Sequence, residues 1–294
     1  MPGSSAQHTL RFGEFQGLPA LIVHTPFSHA AVSLFGGHVL SFVPNGFEDL
    51  LWLSPTTRRP PDPIRGGVPV CWPYFAKQGQ PSEAPQHGLV RTRQWKLTHA
   101  EQSEEGEWVI ALAAPEIDDV PMNLMHTMRI GRSLDQALTT VNLSQDTVRF
   151  TQAFHTYFKV GDAMRVSVAE LDGLSYSDKF DDFNVHTQRG AWHLNDPRDP
   201  GRSDRIYMSA PSRFELVDPV LQRKVVLRTE GSRTLVAWNP GEGEVKGFAD
   251  IPGASWRDYV CLEAANCGNE VIELGTDDSH MLRQTITVEA LQQH

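Results

Sequence analysis

The stretch "TVRFTQAFHTYFKV", Thr147–Val160, decides how the rest of the chain reads. Successive side chains of a β-strand point to opposite faces, so a period of two separates its two surfaces. Val148, Phe150, Phe154, Phe158 and Val160 share one face. Arg149, Thr151, Ala153, His155 and Tyr157 share the other. A regular strand over this span packs its aromatic face on a core and presents His155 on the opposite surface, available to a ligand.

The same parity applied to "YVCLEAA", Tyr259–Ala265, sets Val260, Leu262 and Ala264 apart from Tyr259, Cys261 and Glu263, so Glu263 is expected to look away from the hydrophobic layer. Further short segments rich in β-branched and aromatic residues read as strands: "LPALIVHT", "AAVSLF", "HVLSFV", "WVIALAA", "ALTTVNLS", "KVVLRT", "RTLVAW" and "RQTITVEA". No long amphipathic pattern intervenes, and turn chemistry is densest in "SPTTRRPPDPIRGG" and "NDPRDPGRSD". The expected fold class is all-β, one large antiparallel β-sandwich domain over residues 1–294 with no linker or internal repeat.

Composition narrows the function classes. A formal net charge of -10 argues against nucleic acid or an anionic membrane as partner, although a local arginine cluster can still bind a small anion. No apolar run reaches the roughly 18–20 residues of a bilayer span, and "MPGSSAQHTLRFGEFQG" lacks a secretory apolar stretch, so a cytoplasmic protein is expected. Cys71, Cys261 and Cys267 lack zinc-knuckle spacing and read as reduced, buried and structural. Phosphate-loop, dinucleotide, nucleophile-elbow and H-E-x-x-H motifs are absent from the sequence.

An imidazole and a carboxylate on the polar faces of two strands can act as an acid/base pair if the strands are neighbours, which spacing alone does not establish. Taken singly, His155 and Glu263 have bland readings as solvated or hydrogen-bonded residues. "APQHGLVR" reads first as a turn bent by Pro85 and Gly88, with Gln86 and His87 facing solvent. In "IRGGVPV", Gly66 and Gly67 either bend the chain or let a ligand approach the main chain. Arg65, Arg91 and Arg93 are either surface charges or a phosphate clamp, since the guanidinium fork suits bidentate phosphate binding. His186 and His193 could begin a metal site, but no third and fourth ligand accompany them, and no metal is expected.

Six segments taken together resemble one family: "IRGGVPVCWPYF", "PQHGLVRTRQW", "FHTYFKV", "SDRIY", "LVAWNP" and "YVCLEAA". The chain from about residue 35 onward resembles the hexose-6-phosphate mutarotases, or glucose-6-phosphate 1-epimerases, of the aldose 1-epimerase superfamily. The resemblance implies a large β-sandwich whose concave sheet holds the sugar, with His155 and Glu263 as the catalytic acid and base. It implies further that Arg65, Gln86 and Arg91 lie at the substrate and phosphate pocket, that Asp204 binds a sugar hydroxyl, and that His87 holds the sugar near its ring oxygen.

A monomer acting without cofactor or metal on a phosphorylated hexose is the resulting expectation, with ionised Glu263 taking the C1 proton and protonated His155 serving the ring oxygen. The neighbouring carboxylate is expected to keep that imidazole protonated. An epimerase of unphosphorylated aldoses and a non-catalytic carbohydrate-binding sandwich are the alternatives. Three departures from the family pattern bear on loop shape: Ala76 where glycine is common, the ending "EAANCG", and the glycine-rich "WNPGEGEVKGFAD".

Overall fold

A computed structural model describes residues 9–292. Two eight-stranded antiparallel sheets dominate it. One, the site sheet, runs in the order Asn184–Thr187, Ser175–Asp178, Ser203–Tyr207, Thr234–Asn239, Tyr259–Asn266, Gln152–Phe154 and Val70–Cys71, with Tyr157–Lys159 also paired to Tyr259–Asn266. The other, the back sheet, runs Ser167–Val168, Arg213–Asp218, Arg223–Glu230, Ser279–Ala290, Leu134–Asn142, Met122–Ile130, Trp108–Ala113 and Lys96–Gln102. A four-stranded sheet from Leu10 to Pro44 and a two-stranded ribbon, Val148–Phe150 with Ile272–Leu274, complete the architecture. Among the described residues no helix is long and apolar enough to cross a membrane.

The inner faces of the two large sheets share one hydrophobic cluster. Phe154, Phe158, Leu235, Val260, Leu262 and Ala264 from the site sheet meet Leu124, Met128, Leu138, Leu227, Leu282 and Ile286 from the back sheet. These are the residues that the two-residue period selects, and removing their surface from water is the main driving force for the fold.

Thr147–Val160 is not the single regular strand expected from its alternation. It is cut into Val148–Phe150, Gln152–Phe154 and Tyr157–Lys159, each paired differently or interrupted. At the second break the Thr156 amide turns back to the Phe154 carbonyl at 2.9 Å, and the His155 amide bonds to Pro69 across the other edge. The face assignment survives because the pairing resumes in phase with the same partner strand.

Thr156 points the opposite way from His155 and enters a polar chain inside the sandwich. Its hydroxyl donates to Gln284 Oε1 at 3.1 Å, and Gln284 Nε2 donates to Gln136 Oε1 at 3.0 Å. Gln136 Nε2 lies 3.2 Å from His126 Nε2, and His126 Nδ1 lies 2.9 Å from the Gly37 carbonyl. All four side chains are fully buried, and each is hydrogen-bonded.

The paired glycines of "IRGGVPV" admit neighbouring backbone. A Cβ on Gly66 (φ 96°) would sit 2.3 Å from the Trp52 carbonyl oxygen, and one on Gly67 (φ 64°) would sit 2.4 Å from that of Val39. Only residues without a side chain fit there, and the bend delivers Arg65 to one side and the Val70–Cys71 strand to the other.

Candidate active site

Two neighbouring rows of side chains, read across the strands, form the floor of the site on the sheet face away from the core. Asp204, Trp238, Cys261 and Tyr157 stand in one row. Ile206, Val236 and Glu263 stand in the next. Phe154 opposes Ala264 and Tyr157 opposes Cys261, so the residue between, His155, falls opposite Glu263. The 108 positions separating them in the chain become one inter-strand step.

His155 Nδ1 lies 3.4 Å from Glu263 Oε1. The residues are 7 % and 1 % exposed. Aromatic rings fix the imidazole: Tyr157 stacks on it with centroids 4.9 Å apart and planes 8° from parallel, Trp238 meets it edge-on at 5.8 Å, and His87 does so at 5.2 Å. Burial leaves two polar atoms, His155 Nδ1 and Glu263 Oε2, without a hydrogen-bond partner. Such atoms are rare in folded proteins and carry a free-energy cost, so their presence calls for an explanation.

Part of the burial comes from the segment between Trp72 and Trp95. The Phe75 amide donates to Thr151 Oγ1 at 2.7 Å, and the Gln78 side chain clasps Gly268, donating to its carbonyl at 2.6 Å and accepting from its amide at 2.7 Å. The ending "EAANCG" thus anchors this segment. Ala76 adopts φ 50°, a left-handed conformation that explains why glycine suits the position. His87, also left-handed at φ 67°, accepts the Ala76 amide at Nδ1 (3.3 Å), which puts the proton of the neutral ring on Nε2. Gln86 is exposed beside it.

Arg65 and Arg91 differ in how far they are committed. Arg65 Nε donates to Asp250 Oδ2 and its Nη1 to the Tyr157 hydroxyl, both at 3.0 Å. The Phe248 ring lies 5.3 Å from its guanidinium carbon. Arg91 makes no side-chain hydrogen bond or ion pair among the described residues, and its burial and Arg65 lower its pKa. A half-buried cation with no ion-pair partner is a ready anion site. Arg93 is exposed. Asp204 is held by Lys179 Nζ at 2.8 Å and its field reaches Glu263.

The expected charge states require correction. Burial, reinforced by Arg65 and Arg91, pulls His155 down to about 3. Burial, reinforced by Asp204, pushes the Glu263 carboxyl well above its ordinary range. Desolvation therefore opposes the attraction expected to hold the imidazole protonated, and burial favours the neutral form of each group. Burial likewise keeps His87 neutral as an Nε2–H donor.

The structure brings the seven residues proposed from the sequence to this sheet face and the segments beside it. Asp250 and Phe248 were not foreseen, although both lie in the glycine-rich departure "WNPGEGEVKGFAD", whose short helix Gly241–Glu244 turns the chain back toward Arg65. Trp238 was not foreseen either, although the alternation of "RTLVAW" sets it with Val236 opposite the core residues Leu235 and Ala237. His186 is bound to Asp181 at 2.6 Å and His193 to the Val166 carbonyl at 3.1 Å, so each has its own partner. The group among the described residues with metal-ligand chemistry is His155, Cys261 and Glu263.

Comparison with known proteins places the chain in a family. Residues 21–287 match the family described as Aldose 1-epimerase. A protein of Escherichia coli (strain K12) named "Putative glucose-6-phosphate 1-epimerase" is 32% identical over 254 residues, covering 84% of this chain and 83% of its own. A protein of Cenchrus ciliaris with the same name is 29% identical over 80% of this chain and 74% of its own. Among solved structures, a "putative mutarotase" from Salmonella typhimurium superposes with TM-score 0.85 at 26% identity over 96% of this chain and 94% of that one. A galactose mutarotase-like protein from Clostridium acetobutylicum shares the fold, with TM-score 0.71 at 12% identity over 96% and 99%.

Proposed function

The chain belongs to the aldose 1-epimerase family, and from that premise we propose that it interconverts the α and β anomers of a hexose 6-phosphate, glucose 6-phosphate foremost. The observation that carries this reading is the buried contact of His155 with Glu263 beside Arg91, a guanidinium with no protein counter-charge among the described residues.

Anomers interconvert when the bond between C1 and the ring oxygen opens, the C1–C2 bond rotates, and the oxygen returns to the other face of the carbonyl. Opening removes the C1 hydroxyl proton and adds one to the ring oxygen. Glu263 takes the first and His155 supplies the second. On closure each transfer reverses, so the pair ends with the proton it began with. Positioned proton transfer of this kind contributes about 10²–10⁴-fold in rate.

The reaction uses a carboxylate and an imidazolium, whereas burial favours the neutral pair. The two forms hold the same number of protons. A phosphate dianion against Arg65 and Arg91 offsets the two guanidinium charges that add to burial in lowering His155, which favours the imidazolium. Phosphate then aids the chemical step as well as binding. Asp204, His87 and Gln86 are the groups positioned to meet sugar hydroxyls and the ring oxygen.

The test follows freshly dissolved α-glucose 6-phosphate by polarimetry against the spontaneous rate. A charge-assisted hydrogen bond is worth roughly 1.5–3 kcal/mol, so Arg91→Ala should lower kcat/KM on the phosphosugar by about ten-fold or more. It should not lower the rate on free glucose. A second reading, an epimerase of unphosphorylated aldoses, draws on the commitment of Arg65 to Asp250 and Tyr157, which leaves Arg91 alone for phosphate. Equal kcat/KM for glucose and glucose 6-phosphate in the unmodified protein would select it.

A further inference from the structure

Cys261 has no part in the proton transfers described above, yet its thiol belongs to the same floor. It precedes Glu263 by two residues on one strand and so shares its face, opposite Tyr157. One donor atom from each of His155, Cys261 and Glu263 lies within 4.8 Å of the other two. All three residues are buried, and His155 Nδ1 and Glu263 Oε2 are the atoms left without partners.

Imidazole nitrogen, thiolate sulfur and carboxylate oxygen are the donors of tetrahedral zinc, with bonds of about 2.0–2.3 Å. Magnesium and calcium prefer sets made of oxygen alone. The three donors stand somewhat wider than a tetrahedral ion requires, and side-chain rotation within the fixed strand pair closes the difference. A zinc ion with one thiolate, one carboxylate and one neutral imidazole forms a group of zero net charge, which suits a buried floor. Arg65 and Arg91 oppose the approach of a bare dication, so the two anionic ligands are what make binding favourable.

We propose that the floor of this cleft is an inhibitory site for a thiophilic divalent cation, zinc foremost, held by His155, Cys261 and Glu263. The ion engages the lone pairs that the proton transfers use, and it therefore stops anomerisation in competition with the sugar. The inhibition rests on the acid and base roles assigned to His155 and Glu263, whereas the binding does not.

Cobalt(II) added to the unmodified protein reads the binding directly through the thiolate-to-metal charge-transfer band in the near ultraviolet, and calorimetry with zinc gives the stoichiometry. One ion per chain is expected, with a band that is lost in Cys261→Ser and retained in Cys71→Ser. Polarimetry should show zinc inhibition that is competitive with glucose 6-phosphate and reversed by a chelator. Since loss of an outer-shell partner alone weakens metal binding by about 10–100-fold, Cys261→Ser should raise the inhibition constant by at least ~100-fold, read against that variant's own zinc-free turnover. Absence of the band from the unmodified protein, or the same zinc inhibition in Cys261→Ser, overturns the site. A band with no effect on turnover overturns the inhibition. A band in a protein that turns over no sugar leaves the metal site standing and removes the functional reading instead.

Discussion

His155 and Thr156 are neighbours in the chain and opposites in circumstance. Thr156 faces the interior of the sandwich and joins Gln284, Gln136 and His126 in a chain where each side chain has a hydrogen-bond partner. His155 faces the cleft and meets Glu263 with a buried nitrogen and a buried oxygen left over. Both regions are polar and buried; the first joins the break at Thr156 to three strands of the back sheet, and the second joins the same break to one strand of the site sheet. A satisfied network rigidifies a fold, whereas an unsatisfied pair retains capacity for a ligand at the expense of stability.

The sharpest way to break this contrast is to delete each side separately. His155→Ala should lower turnover by about 10²–10⁴-fold and leave the melting temperature unchanged or raised, because a partnerless buried group is removed. A large loss of stability with little loss of turnover would reverse the assignments of the two faces.

Acid titration sharpens it next. Burial lowers His126 from an ordinary 6.5 to about 4, so the unfolded chain binds a proton there that the folded chain refuses. Its contribution is complete above pH 6.5 and is lost as pH falls through about 4. At roughly 1.4 kcal/mol per pH unit, this residue accounts for roughly 3 kcal/mol of acid destabilisation. His38, buried and lowered to about 4, acts in the same sense. Urea unfolding between pH 7 and pH 4 should fall less steeply in His126→Gln, by about one proton's worth of slope. An unchanged slope would place the acid sensitivity elsewhere.

Cutting the satisfied chain should have a smaller effect. Gln284→Leu leaves Gln136 and Thr156 short of a partner and should destabilise by about 1–3 kcal/mol, with kcat per folded molecule within a few-fold of the parent. Smallest of all, Ala76→Gly relieves a left-handed alanine and should stabilise by about 1 kcal/mol, measured by the same urea curves. A destabilised glycine variant would show that the Ala76 methyl packs usefully against the small apolar cluster with Phe75.

Legibility in the sequence followed the physical source of each signal. The two-residue period identified the core residues Phe154, Phe158, Val260, Leu262 and Ala264 and put His155 and Glu263 on the outer face, because alternation is set within each strand. Adjacency of those strands was not legible, since it depends on register between segments 108 positions apart. Met122–Ile130 escaped notice because methionine, asparagine and histidine carry weak strand preference, although its burial alternates cleanly. Ser203–Tyr207 follows a run of turn residues and was marked only by the family resemblance. The charge states depend on how completely the Trp72–Trp95 segment and the aromatic rings exclude water, a property of the assembled fold. Asp250 became the partner of Arg65 through a loop whose glycines announce a bend and not its destination.

The central claim is that the partnerless buried pair performs the proton transfers of anomerisation. Exchange spectroscopy of the α and β C1 protons of glucose 6-phosphate at equilibrium, with catalytic amounts of the unmodified protein and of Glu263→Gln, tests it most directly. Exchange well above the spontaneous rate with the former, and none above it with the folded latter, is the predicted result. Equal acceleration by both would contradict the account.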